Sequence, residues 1–439
     1  MDRFIVIGVF GFLTGWVVHG EDARAQENRQ PTQPSAPDER VDQLFRESWE
    51  LFKGGLYVLA LAKKEEEFEA ICTTYAIGSW RRSIGVAELG DFRRAAALGS
   101  GDRKRLGDAM AGYSQQILLL RQDRAAEAAT VGAKPLDVFI ELLGEDSALV
   151  VRHMGNLIRA YERTGDLKQV EELVARKLKI CERTRSAGDP EWISAKLIAA
   201  EMDLATADRF WKVGSVLKAC VAECPTDPKY SMERATALHL LSRYYHDLGD
   251  TSAALKYSEE HMTAIAGAKG LSEWQTIQGR MHHVRCLVYA GKSERASEEC
   301  TRLDEVMATF ERDMRSNRAR WQIVRAEVML GLRKYQDAAE SLEKAREYSP
   351  ERKIGLAHAQ MLLMEGELAL QKGDSRKGEQ ALESGIAQIV KIRKGDHACL
   401  LVPLKRLSET KRKLHKEEEA PDLEHRATQL AARIAEARK

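Results

Sequence analysis

The stretch "LLSRYYHDLGDTSAALKYSEEHM", residues 240–262, sets bulky apolar positions among polar ones around three small residues. Ser242 lies seven before Gly249, Gly249 lies five before Ala254, and Asp250 follows the glycine. This pattern predicts two antiparallel helices joined by a tight turn. Glycine tolerates the positive φ that ends a helix, and small residues on both helices let them approach closely. The same step recurs along the chain with its second position at Ala60, Ala95, Ala126, Val170, Val213, Ala254, Ala296, Ala338 and Gly378, all small or β-branched. Five residues earlier stand Gly55, Gly90, Arg121, Gly165, Asp208, Gly249, Gly291, Arg333 and Gly373. A column that played no part in this alignment, twelve before the alanine, reads Ser48, Ser83, Ser114, Ile158, Glu201, Ser242, Val284, Ala326 and Gly366, mostly small again. Two residues after the turn, Tyr57, Phe92, Leu167, Phe210 and Tyr335 are placed to staple the second helix onto the first.

The later steps are 44, 43, 41, 42, 42 and 40 residues, and the first two are 35 and 31. With these columns, the chain resembles the tetratricopeptide repeat in its long, 42-residue form, as in kinesin light chains and many bacterial proteins. The connectors "LLGEDSALV", "SAGDPEWIS" and "GAKGLSEWQ" agree, each offering Gly, Asp or Ser ahead of the next helix. The segment "GSWRRSIGVAELGDFRRAAALGSGDRKRLGDAM" breaks the period. It resembles an insertion near the start of secreted bacterial proteins of this type, some of which continue into a caspase-like CHAT domain. Ser79 stands where that insertion usually has histidine. The resemblance spans residues 41–395 and implies an all-α, right-handed solenoid of helical hairpins. In such a fold no hairpin buries its own apolar stripe; stacking on neighbours does so.

The ends read differently. Residues 1–25 have a short basic start, an uncharged run from Phe4 to Val18 and Ala23-Arg24-Ala25 as an A-x-A cleavage site, the pattern of a secretory signal peptide. The run is short for a membrane span, so a secreted or periplasmic protein with no stable span after cleavage is expected. Residues 26–40 read as a flexible spacer, 41–112 as an N-terminal repeat-like unit with inserted helices, and 113–395 as an array of about seven long repeats. Residues 396–439 carry Leu423, Leu430 and Ile434 at helical spacing and read as capping helices.

Composition narrows the chemistry. Sixty-eight basic residues face 67 acidic ones, leaving a net charge of +1, so no global field favours nucleic acid or membrane. Seven cysteines, Cys72, Cys181, Cys220, Cys224, Cys286, Cys300 and Cys399, are odd in number and irregular in spacing, which suits small core residues better than a disulfide framework. Cys220 and Cys224 would need partners such as His239 or His246 to complete a metal site, and Cys220 falls in a packing column instead, as Cys300 does in another. No phosphate loop, dinucleotide fingerprint, zinc-protease or serine-nucleophile motif occurs. His397 beside Cys399 is the one thiol–imidazole neighbourhood, and it reads as the start of a late helix. No catalytic residue, metal or cofactor is expected, and the residues after Gly378 are too few for a CHAT domain.

The resemblance implies that the first helix of each hairpin lines a concave groove, with contacts eleven and eight residues before the alanine column. The first of these columns reads Arg159, Met202, Arg243, Arg285 and Glu327. Arg163 joins Arg159 at i+4, and His239 and His246 flank Arg243 on the same helical face. Arg159, Arg163, His239, Arg243, His246 and Arg285 are therefore the candidate ladder. Guanidinium forks bind carboxylates bidentately, so the expected partner is a protein offering an acidic segment or a carboxyl terminus. The competing reading is a solvated face whose arginines pair with acids one turn away, such as Glu162. The expected function is a non-catalytic protein–protein interaction scaffold. The alternatives are a regulatory or recruiting subunit of an envelope enzyme such as a peptidase, or an all-α enzyme.

Overall fold

A computed structural model describes residues 37–76, 79–122, 124–224, 231–267, 273–309, 315–348 and 355–438. The expected leader and most of the expected spacer lie outside these residues. Among them every regular element is helical. The chain divides into two compact units, one running to Ala199 and including Glu223 and Cys224, the other taking Ala200–Ala222 and the residues that follow.

The N-terminal unit starts with the hairpin of α1 (Pro37–Lys53) and α2 (Tyr57–Thr74), followed by α3 (Trp80–Ala97). Two further hairpins pair α4 (Ser100–Arg121) with α5 (Ala125–Leu143) and α6 (Ala148–Thr164) with α7 (Leu167–Thr184). The division falls within α8 (Pro190–Leu204). The C-terminal unit continues through α9 (Val213–Glu223) to four hairpins: α10 (Ser231–Asp247) with α11 (Thr251–Gly267), α12 (Glu273–Tyr289) with α13 (Ser293–Thr309), α14 (Arg315–Gly331) with α15 (Tyr335–Tyr348), and α16 (Leu356–Gln371) with α17 (Ser375–Arg393). It ends with α18 (Leu401–Lys413) and α19 (Ala420–Ala437). The fold is a tetratricopeptide-like stack of helical hairpins.

The turn column is left-handed as its glycines predict: Gly165, Gly249, Gly291 and Gly373 have φ of 77°, 67°, 72° and 85°. Arg333 adopts the same conformation at 59° without being glycine, so the hairpin imposes the turn even where the residue resists it. The small columns meet across each hairpin. Ser242 and Ala254 are buried, and the Ser242 hydroxyl donates to the Ala254 carbonyl at 2.7 Å. A methyl group on Gly366 would stand 2.8 Å from Leu382 Cγ. The connectors supply caps as expected: Ser147 accepts from the Val150 amide, and Asp189 accepts from the amides of Glu191 and Trp192. Ser272, in the third connector, lies outside the described residues.

Several expectations are corrected. Gly90 and Ala95 form no turn, because α3 runs unbroken through both. The sequence Gly90-Asp91-Phe92 imitates the turn signature, but the buried Asp91 carboxylate is engaged elsewhere. It accepts from Ser147 Oγ at 2.9 Å and from the Leu149 amide at 3.0 Å, so it caps α6. In α4–α5 the packing column falls at Ala128, which is fully buried, and Ala126 is exposed. That shift places Ala128 42 residues before Val170 and extends the long period into this hairpin. The boundary expected between 112 and 113 falls inside α4, and the spacer expected to reach residue 40 ends earlier, since α1 begins at Pro37.

In the N-terminal unit an aromatic cluster holds the first helices. Phe52 lies 4.5 Å from Phe92 and 5.3 Å from Trp49 between ring centres. Burying one such ring contributes about 2–3 kcal/mol. Beneath it Lys64, fully buried, lies 2.8 Å from Glu67 and 2.5 Å from Glu88, and Arg152 reaches Glu88 at 2.5 Å. Burial alone would raise the Glu88 carboxyl, but Lys64 and Arg152 hold it below the usual carboxylate range. The network joins α2, α3 and α6.

The C-terminal unit closes on itself. Arg438, at the C-cap of α19, donates to the Leu248 carbonyl at 2.6 Å, the Arg433 guanidinium stacks 4.2 Å from the Trp211 ring centre, and Arg393 donates to the Leu204 carbonyl. Leu423, Leu430 and Ile434 are buried as the capping reading predicts. The helices that carry them also return to the first residues of the unit.

Removing the central cation of the N-terminal network leaves buried Glu67 without a cation and Glu88 with Arg152 alone. Lys64→Ala is expected to cost about 3–5 kcal/mol in urea denaturation, whereas Lys53→Ala, on an exposed pair, is expected to change little.

Candidate functional site

The first helices of the C-terminal hairpins line up side by side, α12 against α14 and α14 against α16. The column eleven before the packing position runs Arg243, Arg285, Glu327 and Glu367 on α10, α12, α14 and α16. Two cations are followed by two carboxylates along one inner row.

Two of the four candidate arginines, Arg243 and Arg285, are ion-paired to neighbouring repeats. Arg285 grips Glu327 with two parallel bonds, Nε to Oε2 at 2.8 Å and Nη2 to Oε1 at 2.9 Å. Arg243 donates to Glu201 Oε1 at 3.2 Å. Both partners lie 42 residues away, one whole repeat, and not one turn along the same helix. Glu201, which fits poorly in a column of small residues, is fully buried. Burial raises its carboxyl to about 7 despite the Arg243 charge. The expected ladder of open guanidinium forks is thus corrected: Arg243 and Arg285 stitch repeats together.

The histidines are corrected likewise. His239 is buried, its ring 5.2 Å from that of His261 and 5.1 Å from that of His282. His246 packs on Tyr289 at 4.7 Å, and burial with the nearby arginines pushes its imidazole down to about 3. Arg159 and Arg163 belong to the N-terminal unit. Arg159 contacts Asn156 Oδ1 at 3.4 Å, and burial pushes its guanidinium down to about 10. Arg163 donates to the Leu120 carbonyl at 2.8 Å, and Glu162 is itself buried.

The acidic half of the inner row opens onto a recess of about 500 Å³. Its walls include Tyr289, Tyr335, Glu327, Glu367, Met364 and Gln371. Tyr289 is 46% exposed, unlike the core residues around it. The Tyr335 hydroxyl donates to Gln371 Oε1 at 3.3 Å. Burial raises the Glu367 carboxyl, and Arg406, 3.3 Å away, offsets this only in part. The column reading stopped at Glu327 and missed Glu367; carrying it one repeat further, to eleven before Gly378, would have found it.

Other chemistry-bearing groups are accounted for. All seven cysteines are free. His397 and Cys399 do touch, Nδ1 to Sγ at 3.2 Å, and His397 Nε2 faces the Leu204 carbonyl at 3.1 Å. Burial moves the two groups apart in acidity, the thiol up to about 12 and the imidazole well down, so the reactive ion pair is disfavoured. The imidazole also accepts from the Cys399 amide, the helix-start role expected of it. Among the described residues Glu379, Glu383 and Glu419 are grouped closely enough for a metal, but Lys411 sits 3.0 Å from Glu379 and 2.5 Å from Glu383. No described helix is long and apolar enough to cross a membrane.

No family model matches the chain, and no curated protein does. Among solved structures it is similar to a Rap protein complexed with competence and sporulation factor, at 14% identity over 91% of this chain and 100% of that one, with a TM-score of 0.39. It is also similar to Cut9–Hcn1 of the APC/C, at 13% identity over 91% and 90% with a TM-score of 0.35. A third likeness is to a Podosopora anserina putative kinesin light chain with nearly identical TPR-like repeats, at 16% identity over 58% and 100% with a TM-score of 0.25.

Reversing Arg285 sets two carboxylates face to face. Arg285→Glu is expected to destabilise the C-terminal unit by about 3–5 kcal/mol, and adding Glu327→Arg is expected to restore part of the loss in a double-mutant cycle. Additive losses would show that the pair does not couple the repeats.

Acid is the second probe. His239, His246, His261, His282 and His283 are all held below the ordinary imidazole range, by burial first and, apart from any carboxylates nearby, by neighbouring cationic or imidazole groups. Glu259 and Glu299 face His283 and oppose its shift. The unfolded chain therefore takes up these protons first as pH falls. Their stabilisation is complete above about pH 6.5 and is lost progressively below it. Glu201, Asp247 and Glu367, whose carboxyls are raised, act in the opposite sense but are fewer than these five histidines. The melting temperature is expected to fall by roughly 10 °C between pH 7 and pH 5; a flat profile would contradict this.

Proposed function

We propose that the C-terminal unit is a non-catalytic binding module that holds a segment of a partner protein against the inner row of α10, α12, α14 and α16. The recess beside Glu327 and Glu367 carries this reading. Two tyrosines line a space here that is large enough for a side chain and some backbone. The leader reading adds that the partner is met after export.

The arginines count against the acidic-segment version of this idea, because the Arg285 fork is filled by Glu327 and Arg243 is already paired with Glu201 through one N–H. The catalytic alternative gains nothing from His397 and Cys399, whose acidities favour the neutral pair.

The test is a photo-crosslinking amino acid placed at Tyr289 and, separately, at Val86, which is 59% exposed on α3 of the other unit. In the native host, the Tyr289 probe is expected to capture one or a few proteins that the Val86 probe does not. A single stoichiometric product would support the recruiting-subunit version. Identical products from both positions would overturn the assignment of binding to the inner row.

A further inference from the structure

We infer that the recess receives a cationic side chain, lysine or arginine, from the bound segment. The inference rests on the protein-binding reading above and specifies its chemistry.

The walls divide by character. Val288, Leu330 and Met364 offer apolar surface to an alkyl stem. Tyr289 and Tyr335 bring aromatic rings, whose faces attract ammonium and guanidinium groups. Glu327 and Glu367 bring carboxylates from equivalent positions on adjacent helices, α14 and α16. Each is held by a single arginine: Glu327 by Arg285, and Glu367 by Arg406 through a 3.3 Å contact. An ionised carboxylate has about four acceptor positions, so neither is saturated by its one arginine. The burial that raises the Glu367 carboxyl is what a second cation would relieve.

Other ligand classes fit less well. An anion would face two carboxylates, and the one cation in the lining, Arg333, is exposed at the α14–α15 turn. A wholly apolar side chain would cover Glu367 without replacing the solvent that its free acceptors use. A long stem ending in a positive charge uses every part of the lining, and arginine, which is planar, can lie on a tyrosine while forking to a carboxylate.

The experiment uses the full chain and fluorescein-labelled short peptide libraries, identical except for a central residue fixed as arginine, lysine, norleucine or glutamate. Anisotropy titration is expected to show the arginine and lysine libraries binding roughly tenfold more tightly than the other two. Glu367→Gln is expected to erase most of that preference while leaving the helical circular dichroism and the melting temperature close to wild type. Tyr335→Leu, which keeps the apolar bulk and removes the aromatic ring, is expected to weaken the arginine library and leave the norleucine library unchanged. Equal binding of all four libraries, or a preference for glutamate, would overturn the cationic assignment but leave the binding module standing. A preference for arginine and lysine that survives both substitutions would place the cation elsewhere and overturn it as well. If no library binds, the cationic assignment falls, and the Tyr289 crosslink decides separately whether the module itself survives.

Discussion

The structure depends on one steric allowance. At two points in a hairpin the side chains are small enough for the helices to come nearly into backbone contact. The Ser242 hydroxyl reaches the Ala254 carbonyl, and Gly366 admits Leu382 so closely that a single methyl group would collide. Close approach fixes the rotation of each helix about its own axis, because any other face would present a larger residue. Once rotation is fixed, the side chains facing the neighbouring repeat and those facing inward follow. The 42-residue spacing is the result, and it reaches as far as Ala128 in the N-terminal unit.

The ion pairs of the inner row follow from that spacing. Arg285 and Glu327 occupy the same position in successive repeats, and Arg243 meets Glu201 from the repeat before. Pairs this deeply placed add little net stability, since desolvation consumes most of the attraction, but they penalise misalignment heavily. They select one stacking register among several that apolar contacts alone would tolerate. The order of charges, cations on α10 and α12 and carboxylates on α14 and α16, gives the row a polarity along its length. An extended segment lying on it would meet different chemistry at its two ends.

Much of this was legible in the residues. The turn glycines, most of the packing column, the caps at Ser147 and Asp189 and the buried face of α19 follow from local chemistry, where a residue type and its conformation are tightly linked. The failures were non-local. Gly90-Asp91-Phe92 carries a turn's composition inside a continuous helix because Asp91 serves α6, and nothing within α3 says so. Within a single helix nothing marks the arginines' partners, which lie one repeat away, although Glu327 stands in the same column. The recess draws Tyr289 and Glu367 from helices far apart in sequence and Tyr335 from the residues after a turn, a combination set by stacking alone.

The contacts that close the C-terminal unit join residues about 190 positions apart, Arg438 to Leu248 and His397 to Leu204. Each hairpin can form as soon as its own two helices exist, but the loop through the unit shuts only after nearly the whole of it has been made. Contacts of such long range are slow to form and come late. During synthesis the unit therefore passes through an open stage in which its hairpins stand while its first residues are not yet tied to its last helices.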